Sequence, residues 1–355
     1  MAEQKEIERI LALSDAFGPS GMEDEVSALV QSELSKAGID SEQDHMRNVR
    51  AELNHTDGPR VMLDAHLDEV GIITQAVKPD GTMTFLPLGG WAPVNFPSSV
   101  FKIKNQEGGF EHAVIASKPP HFMSDAEKKQ APAVENMVLD CGAKDAEDTR
   151  NSYHLGIGCF GAPEVKATYS ERTHLFTGKA FDCRIGVAAE IETLIRLKDR
   201  RLPCSVSASF PVQEEMGERG AMANAHALKP DVAICFEGCP ADDTFQQPWL
   251  IQAAMYHGPM LRDFDVSMIT SPRFERFALD MAAKHQIPVQ ESVRKGGGTD
   301  GGKIHLEGIP CIVIGIPVRY IHSSNCYCTL DDYEHAVALA VELCSALDME
   351  TLRSF

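Results

Sequence analysis

The sequence predicts an α/β fold: a mixed, mostly parallel sheet with helices on both faces, plus an inserted β-rich domain. Three observations carry this. Short apolar or alternating runs at Val61–Leu63, Val206–Val212, Val232–Phe236 and Cys311–Ile316 are strand-like, and they alternate with stripes at helical spacing. Residues 73–166 break that rhythm with turn signals at Pro79-Asp80-Gly81, Gly89-Gly90 and Gly108-Gly109 between short β-prone pieces. The chain has 355 residues, beyond the size at which one core usually stops growing. The expected organisation is a discontinuous main domain, 1–72 and 167–355, interrupted by a β-rich domain at 73–166.

In chain order, Ile7, Ile10, Leu11 and Phe17 predict an amphipathic helix ended by Gly18-Pro19. Ser20 and Glu23 have capping-box spacing, ahead of a second helix carrying Val26, Leu29, Val30 and Leu34. Val61–Leu63 is a strand running into Asp64-Ala65-His66-Leu67-Asp68. Within the insertion, 124–136 is polar and reads as a lid or surface loop. Val187, Ile191, Leu194 and Ile195 form a sheet-covering helical stripe. Val206, Ala208, Phe210 and Val212 alternate with serines and predict a half-buried strand. The Val232 run, a helix with Phe274, Phe277, Ala278, Met281 and Ala282, the Cys311 run and a last helix over 331–347 complete the chain.

Composition narrows the function. There are 33 basic and 52 acidic residues, a net charge of -19, which argues against nucleic acid and anionic membrane as partners. No apolar run is long enough to span a bilayer and the first residues lack signal-peptide character, so the expected location is cytoplasmic. The ten cysteines contain no Cys-x-x-Cys and read as small buried hydrophobes.

In open α/β sheets ligands gather outside the carboxyl ends of strands. His66 and Asp68 follow the Val61 strand, Glu214 and Glu215 the Val206 strand, Glu237 the Val232 strand and His322 the Cys311 run, while Asp182 precedes a helix. Singly, each has an ordinary structural explanation: a core histidine, an N-cap, an acidic turn. Together, two histidines and several carboxylates suit zinc, cobalt or manganese. Asp68, two residues from His66, is placed to accept the second ring N–H of that imidazole.

The pieces Pro19-Ser20-Gly21, Asp64 to Gly71, Lys118-Pro119-Pro120-His121, Lys179 to Gly186, Gln213 to Ala221, Gly297-Gly298-Thr299-Asp300 and Arg319-Tyr320-Ile321-His322-Ser323 cover nearly the whole chain. In these the sequence resembles the M42 metallo-aminopeptidases, a group that includes glutamyl and tetrahedral aminopeptidases. The resemblance implies a zinc-exopeptidase type of fold and two divalent ions, zinc or cobalt with manganese as a further choice. It implies that His66, Asp182 and Glu237 hold one ion, that Asp182, Glu215 and His322 hold the other, and that Glu214 is the general base. It also implies short peptide substrates, a dimerising insertion and a homo-oligomer built from dimers, as large as a dodecamer. Two positions depart from the family pattern: Glu237 stands where aspartate is usual, and Cys183 where an acidic or amide residue is common.

The glycine-rich 295–303 segment has P-loop spacing at Gly297, Gly302 and Lys303, but Ile304 replaces the hydroxyl residue that magnesium needs. It reads instead as a loop at the substrate pocket, with Thr299 and Asp300 as contacts; a purely structural turn is the other reading. The function read from the sequence is hydrolysis of N-terminal residues from short peptides. A deacylase or carboxypeptidase on the same scaffold and a non-catalytic binding protein are the alternatives.

Overall fold

A computed structural model describes residues 2–355. Helices α1 (Ala2–Asp15) and α2 (Asp24–Lys36) lead into strands β1 (Ser41–Gln43), β2 (Val49–Glu52) and β3 (Arg60–Asp64). Six strands follow: β4 (Gly71–Val77), β5 (Met83–Leu88), β6 (Val100–Lys104), β7 (Phe110–Ser117), β8 (Met137–Asp140) and, after helix α3 (Ala146–Asn151), β9 (Phe160–Pro163). Next come β10 (Thr168–Ser170), β11 (Leu175–Gly178), α4 (Phe181–Leu197), β12 (Ser205–Phe210), α5 (Arg219–Leu228), β13 (Val232–Pro240) and β14 (Met260–Phe264). The chain ends with α6 (Pro272–His285), β15 (Gln290–Val293), α7 (Asp300–Leu306), β16 (Cys311–Val318), β17 (Cys326–Thr329), α8 (Leu330–Ala346) and α9 (Met349–Leu352).

The main sheet has eight strands in the order β1-β2-β12-β3-β13-β16-β14-β15. Its four central strands, β12, β3, β13 and β16, are mutually parallel, and β2 and β14 run antiparallel to their central neighbours. The carboxyl ends of the central strands therefore open on one edge. Alternation along β13 shows how both faces are covered: Val232, Ile234 and Phe236 join the large core under α1, α4, α6 and α8, whereas Ala233 and Cys235 pack with Ala221, Ala225 and Ile304 of α5 and α7. β4 to β9 close into a separate antiparallel barrel with its own core, in which Trp91 stacks on Phe96 at 4.6 Å between ring centroids. β10, β11 and β17 make a small third sheet.

Several local expectations are corrected. β12 is buried on both sides, because it lies between β2 and β3 under helices; Ser209 satisfies its hydroxyl on Asp64 Oδ1 at 2.5 Å. Ser20 caps nothing: α2 starts at Asp24 with no side-chain cap, and the Ser20 hydroxyl donates to Asp68 Oδ2 at 2.6 Å, a charged acceptor that outcompetes a free helix amide. Glu237 lies within β13 and not past its end, because the strand continues to Pro240, four residues beyond the apolar run. The 124–136 segment is a long exposed connection between β7 and β8 with short 3-10 turns. All ten cysteines are free. Among the described residues, no helix is long and apolar enough to cross a membrane.

Arg184 ties the N-terminal helices to the sheet. Its fully buried guanidinium donates to the carbonyls of Leu67 (2.7 Å), Leu13 (2.8 Å), Ala16 (3.3 Å) and Gly18 (3.1 Å), and Glu69 lies beside it. Lysine cannot reproduce this planar fork. Arg184→Lys is expected to lose about 3 to 5 kcal/mol of unfolding free energy in urea, through the buried carbonyl acceptors it leaves uncompensated; a loss below about 1 kcal/mol would show that the clamp carries little.

Candidate metal centre

Four parallel strands bring the site together. β3 ends at Asp64 and the chain continues extended, its Ala65 and Leu67 amides donating to the carbonyls of Ser209 and Pro211. This places His66 against the end of β12. Beyond β12, Gln213 at φ 59 and Gly217 at φ 112 turn the chain into α5, with Glu214 and Glu215 on the turn. A side chain at Gly238 would come within 2.8 Å of the Asp182 Cα, so glycine there lets β13 run against the start of α4 and sets Glu237 beside Asp182. Asp182 is in α4 but non-helical (φ -85, ψ 108), and its peptide bond to Cys183 is cis.

Asp182 stands between the two imidazoles. Its Oδ1 is 3.2 Å from His66 Nε2, and its Oδ2 is 3.0 Å from His322 Nε2. Glu237 Oε2 and Glu214 Oε2 each lie 3.7 Å from His66 Nε2. Glu215 Oε1, which has no hydrogen-bond partner, is 3.2 Å from His322 Nε2. Potential ligand atoms of His66, Asp182, Cys183 and Glu237 lie within 4.8 Å of one another, as do those of Asp182, Glu215 and His322, so Asp182 belongs to both groups.

The hydrogen bonds on the far side of each ring fix its tautomer. His66 Nδ1 donates to the Asp68 carbonyl at 3.1 Å and His322 Nδ1 to the Gly90 carbonyl at 3.0 Å, since a carbonyl can only accept. In a neutral ring each Nε2 then presents a lone pair to carboxylate oxygens, an arrangement that requires a cation between them. Protons do this in the absence of metal: burial opposes charge on both rings, yet the surrounding carboxylates push His66 well above its ordinary value and His322 up to about 12. Burial alone would raise Asp182, but hydrogen bonds from His322 and His66 bring it below the usual carboxylate range. The donor set thus fits two borderline cations. Cys183 is the poor member: buried, with its thiol donating to the Phe236 carbonyl at 3.2 Å and pushed well above its ordinary value by burial, it is held as a thiol.

Asp68 takes a different position from the one its spacing suggests. Its carboxylate Oδ1 is 3.5 Å from His66 Nδ1, and the ring bonds the Asp68 backbone carbonyl instead. The carboxylate accepts the amides of Glu214 (2.8 Å) and Glu215 (3.1 Å) and the Ser20 hydroxyl. It is therefore the anchor of the two-glutamate turn.

The cluster forms one wall of a cavity of about 450 Å³. The family profile described as M42 glutamyl aminopeptidase matches residues 48–339. The chain belongs to the M42 aminopeptidase family. It is 30% identical to the glutamyl aminopeptidase of Lactococcus lactis subsp. cremoris (strain MG1363), over 97% of each chain. The crystal structure of the TET aminopeptidase from the marine sediment archaeon Thaumarchaeota archaeon SCGC AB-539-E09 superposes with a TM-score of 0.95 at 35% identity, covering 99% of each chain. The Pyrococcus horikoshii TET1 peptidase, whose structure is described as assembling into a tetrahedron or a large octahedral shell, superposes with a TM-score of 0.86 at 26% identity, over 96% of this chain and 100% of that one.

The pocket of this M42 peptidase differs from expectation on its other wall. Thr299 and Asp300 are buried and do not line it, because α7 starts there and carries both inward, Asp300 against the buried Asp64; Gly296, Gly297 and Gly298 form the wall instead. Three contributors escaped the sequence reading. Gly90, noted only as a turn, orients His322. Arg262 and Arg294 line the cavity from β14 and the end of β15, two short strands that leave no strong apolar pattern.

Asp68→Asn replaces an acceptor by an amide that must face the Glu214 or Glu215 N–H with its own N–H. It is expected to weaken metal retention by about 10- to 100-fold, read by dialysis against buffered zinc. Unchanged retention would remove Asp68 from its anchoring role.

Proposed function

We propose that the chain is a dinuclear metallo-aminopeptidase whose preferred substrates are short peptides with an acidic N-terminal residue. The observation that carries the reading is Asp182, shared by two ligand groups in the wall of a cavity that also holds Glu214. His66, Asp182 and Glu237 would hold one ion and Asp182, Glu215 and His322 the other. When bound, two such ions lower the pKa of water and polarise a peptide carbonyl. Zinc, cobalt or manganese suits this ligand set.

Glu214 is the proposed general base. It belongs to neither ligand group yet faces the same space, its Oε2 3.7 Å from His66 Nε2. Burial first, and then Glu237, Asp300 and Glu215, push its carboxyl well above the ordinary value, against the pull of His66. Such a group accepts a proton from attacking water and passes it to the leaving amine nitrogen. The acidic lining at Glu214, Glu215, Glu218 and Glu237 favours the cationic N-terminus of a peptide over a blocked one.

Arg262 and Arg294 support the acidic preference. Arg262 donates Nη1 to Asp265 at 2.9 Å and leaves Nε without a partner; Arg294 donates Nε to Ser292 at 2.9 Å and leaves Nη2 without one. Unpaired buried donors cost about 1 to 3 kcal/mol each, and a carboxylate satisfies them in a directional way. The chain's net charge of -19 repels acidic peptides at long range, but this pair overrides it locally. The same arginines are what a carboxypeptidase would use for an α-carboxylate, so that second reading remains a target of experiment.

The barrel segment, proposed as an inserted domain over 73–166, is the proposed dimerisation unit. Leu86, Val94, Phe122 and Ile157 are exposed apolar side chains on this segment, the residue type that interfaces cover. The P. horikoshii peptidase supports assembly into a larger homo-oligomer.

Three outcomes test these readings. Glu214→Gln is expected to keep both ions by metal analysis and to lose about 10²- to 10⁴-fold in kcat; near-normal turnover in the metal-replete variant would remove it as the base. Arg262→Met is expected to lower kcat/KM for a glutamyl anilide at least about tenfold, the scale of one lost charged contact, while sparing leucyl anilide. Equal losses on both would sink the acidic preference. N-acetylated peptides with a free C-terminus should not be cleaved; their cleavage would favour the carboxypeptidase.

A further inference from the structure

Away from the cavity, three carboxylates meet on the helix-covered side of the sheet edge. β14 and β15 run parallel with Leu261 opposite Glu291, so Leu261, Asp263 and Glu291 share one face. The register slips between Arg262 and Phe264, leaving Asp263 as the extra residue of a bulge, a device that re-aims a side chain. α6 covers this face. Its buried stripe is Phe274, Ala278, Met281 and Ala282, and Glu275 sits in the same stripe. Oxygens of Asp263, Glu275 and Glu291 lie within 4.8 Å of one another.

Glu275 makes this more than an acidic patch. The residue is 4% exposed, and neither carboxylate oxygen has a hydrogen-bond partner or solvent contact. A carboxyl group in an apolar helix stripe, aimed at two further carboxylates, is costly unless something positive is shared among the three. Arg276 on the same helix acts on it only from the exposed side. Without a cation the group is protonated: burial first, then Asp263 and Glu291, push it up to about 8.

We propose that Asp263, Glu275 and Glu291 form a binding site for one calcium ion, separate from the histidine-containing catalytic pair. The donors are all carboxylate oxygens, the set that hard cations take and that zinc does not prefer. Calcium–oxygen distances of about 2.3–2.6 Å allow two oxygens on one ion to stand up to about 5 Å apart, which accommodates the observed spread. The open side at Glu291, which is exposed, leaves room for the water ligands that complete a calcium shell. The ion would tie α6 to β14 and β15, the strands that carry Arg262 and Arg294 to the cavity.

The test uses full-length protein with its catalytic groups loaded with zinc, dialysed to equilibrium against radioactive calcium. One calcium per chain beyond the zinc is expected, with a rise in Tm. Glu275→Gln, which keeps shape, and Glu291→Ala, at an exposed position, should each weaken calcium binding at least about tenfold without changing zinc content or hydrolysis of leucyl anilide. The proposal is overturned if no calcium binds at about 1 mM, the weak end of protein calcium sites, or if binding survives both substitutions. Should Glu275→Gln not fold, Glu291→Ala decides alone.

Discussion

The buried carboxylate of Asp68 holds two neighbouring strand ends in the arrangement on which the site depends. It sits just past β3 and accepts the amides of Glu214 and Glu215 just past β12, together with the Ser20 hydroxyl from the loop before α2. Each charge-assisted bond of this kind contributes roughly 1.5 to 3 kcal/mol. Burial works against the charge, but His66, Ser20 and the Glu214 amide together keep Asp68 below its ordinary value. With both amides pinned, the side chains of consecutive residues part, Glu215 to the His322 side and Glu214 to the His66 side.

Charge neutrality governs the cluster above this anchor. Asp182, Glu214, Glu215 and Glu237 crowd two imidazoles whose outer nitrogens are already committed to the Asp68 and Gly90 carbonyls. The inner nitrogens and the carboxylates can coexist only around positive charge. That requirement, rather than any one distance, makes the cluster a candidate metal centre. The Gly90 contact also shows that the barrel segment is part of the site's scaffold: its backbone orients His322, and a side chain at Gly89 would come within 2.9 Å of Glu215 Oε2.

The edge strands add a second level of organisation. Arg262 and Asp263 are adjacent on β14 and face opposite ways, one to the cavity and one to α6. The guanidinium is held by Asp265, while the carboxylate joins Glu275 and Glu291. The carboxylate cluster behind the pocket and the unpaired Arg262 Nε within it therefore stand on two sides of one short strand.

By itself the sequence determined the alternation of strands and helices, the parallel core and the strand-end positions of His66, Glu214 and Glu215. These follow from side-chain period and turn chemistry, which act over a few residues. Residues 73–166 likewise announced short strands and turns, though not the closure of the barrel formed by β4 to β9. Tertiary structure decided the rest. Ser20 has a capping-box neighbour at Glu23 but meets a stronger acceptor 48 residues away. Thr299 and Asp300 turn inward because α7 starts at Asp300, and Arg262 and Arg294 reach the pocket through strands too short to leave a pattern. A local pattern records what each residue prefers to bury, whereas the partner it finds depends on packing between segments that only the folded chain brings together.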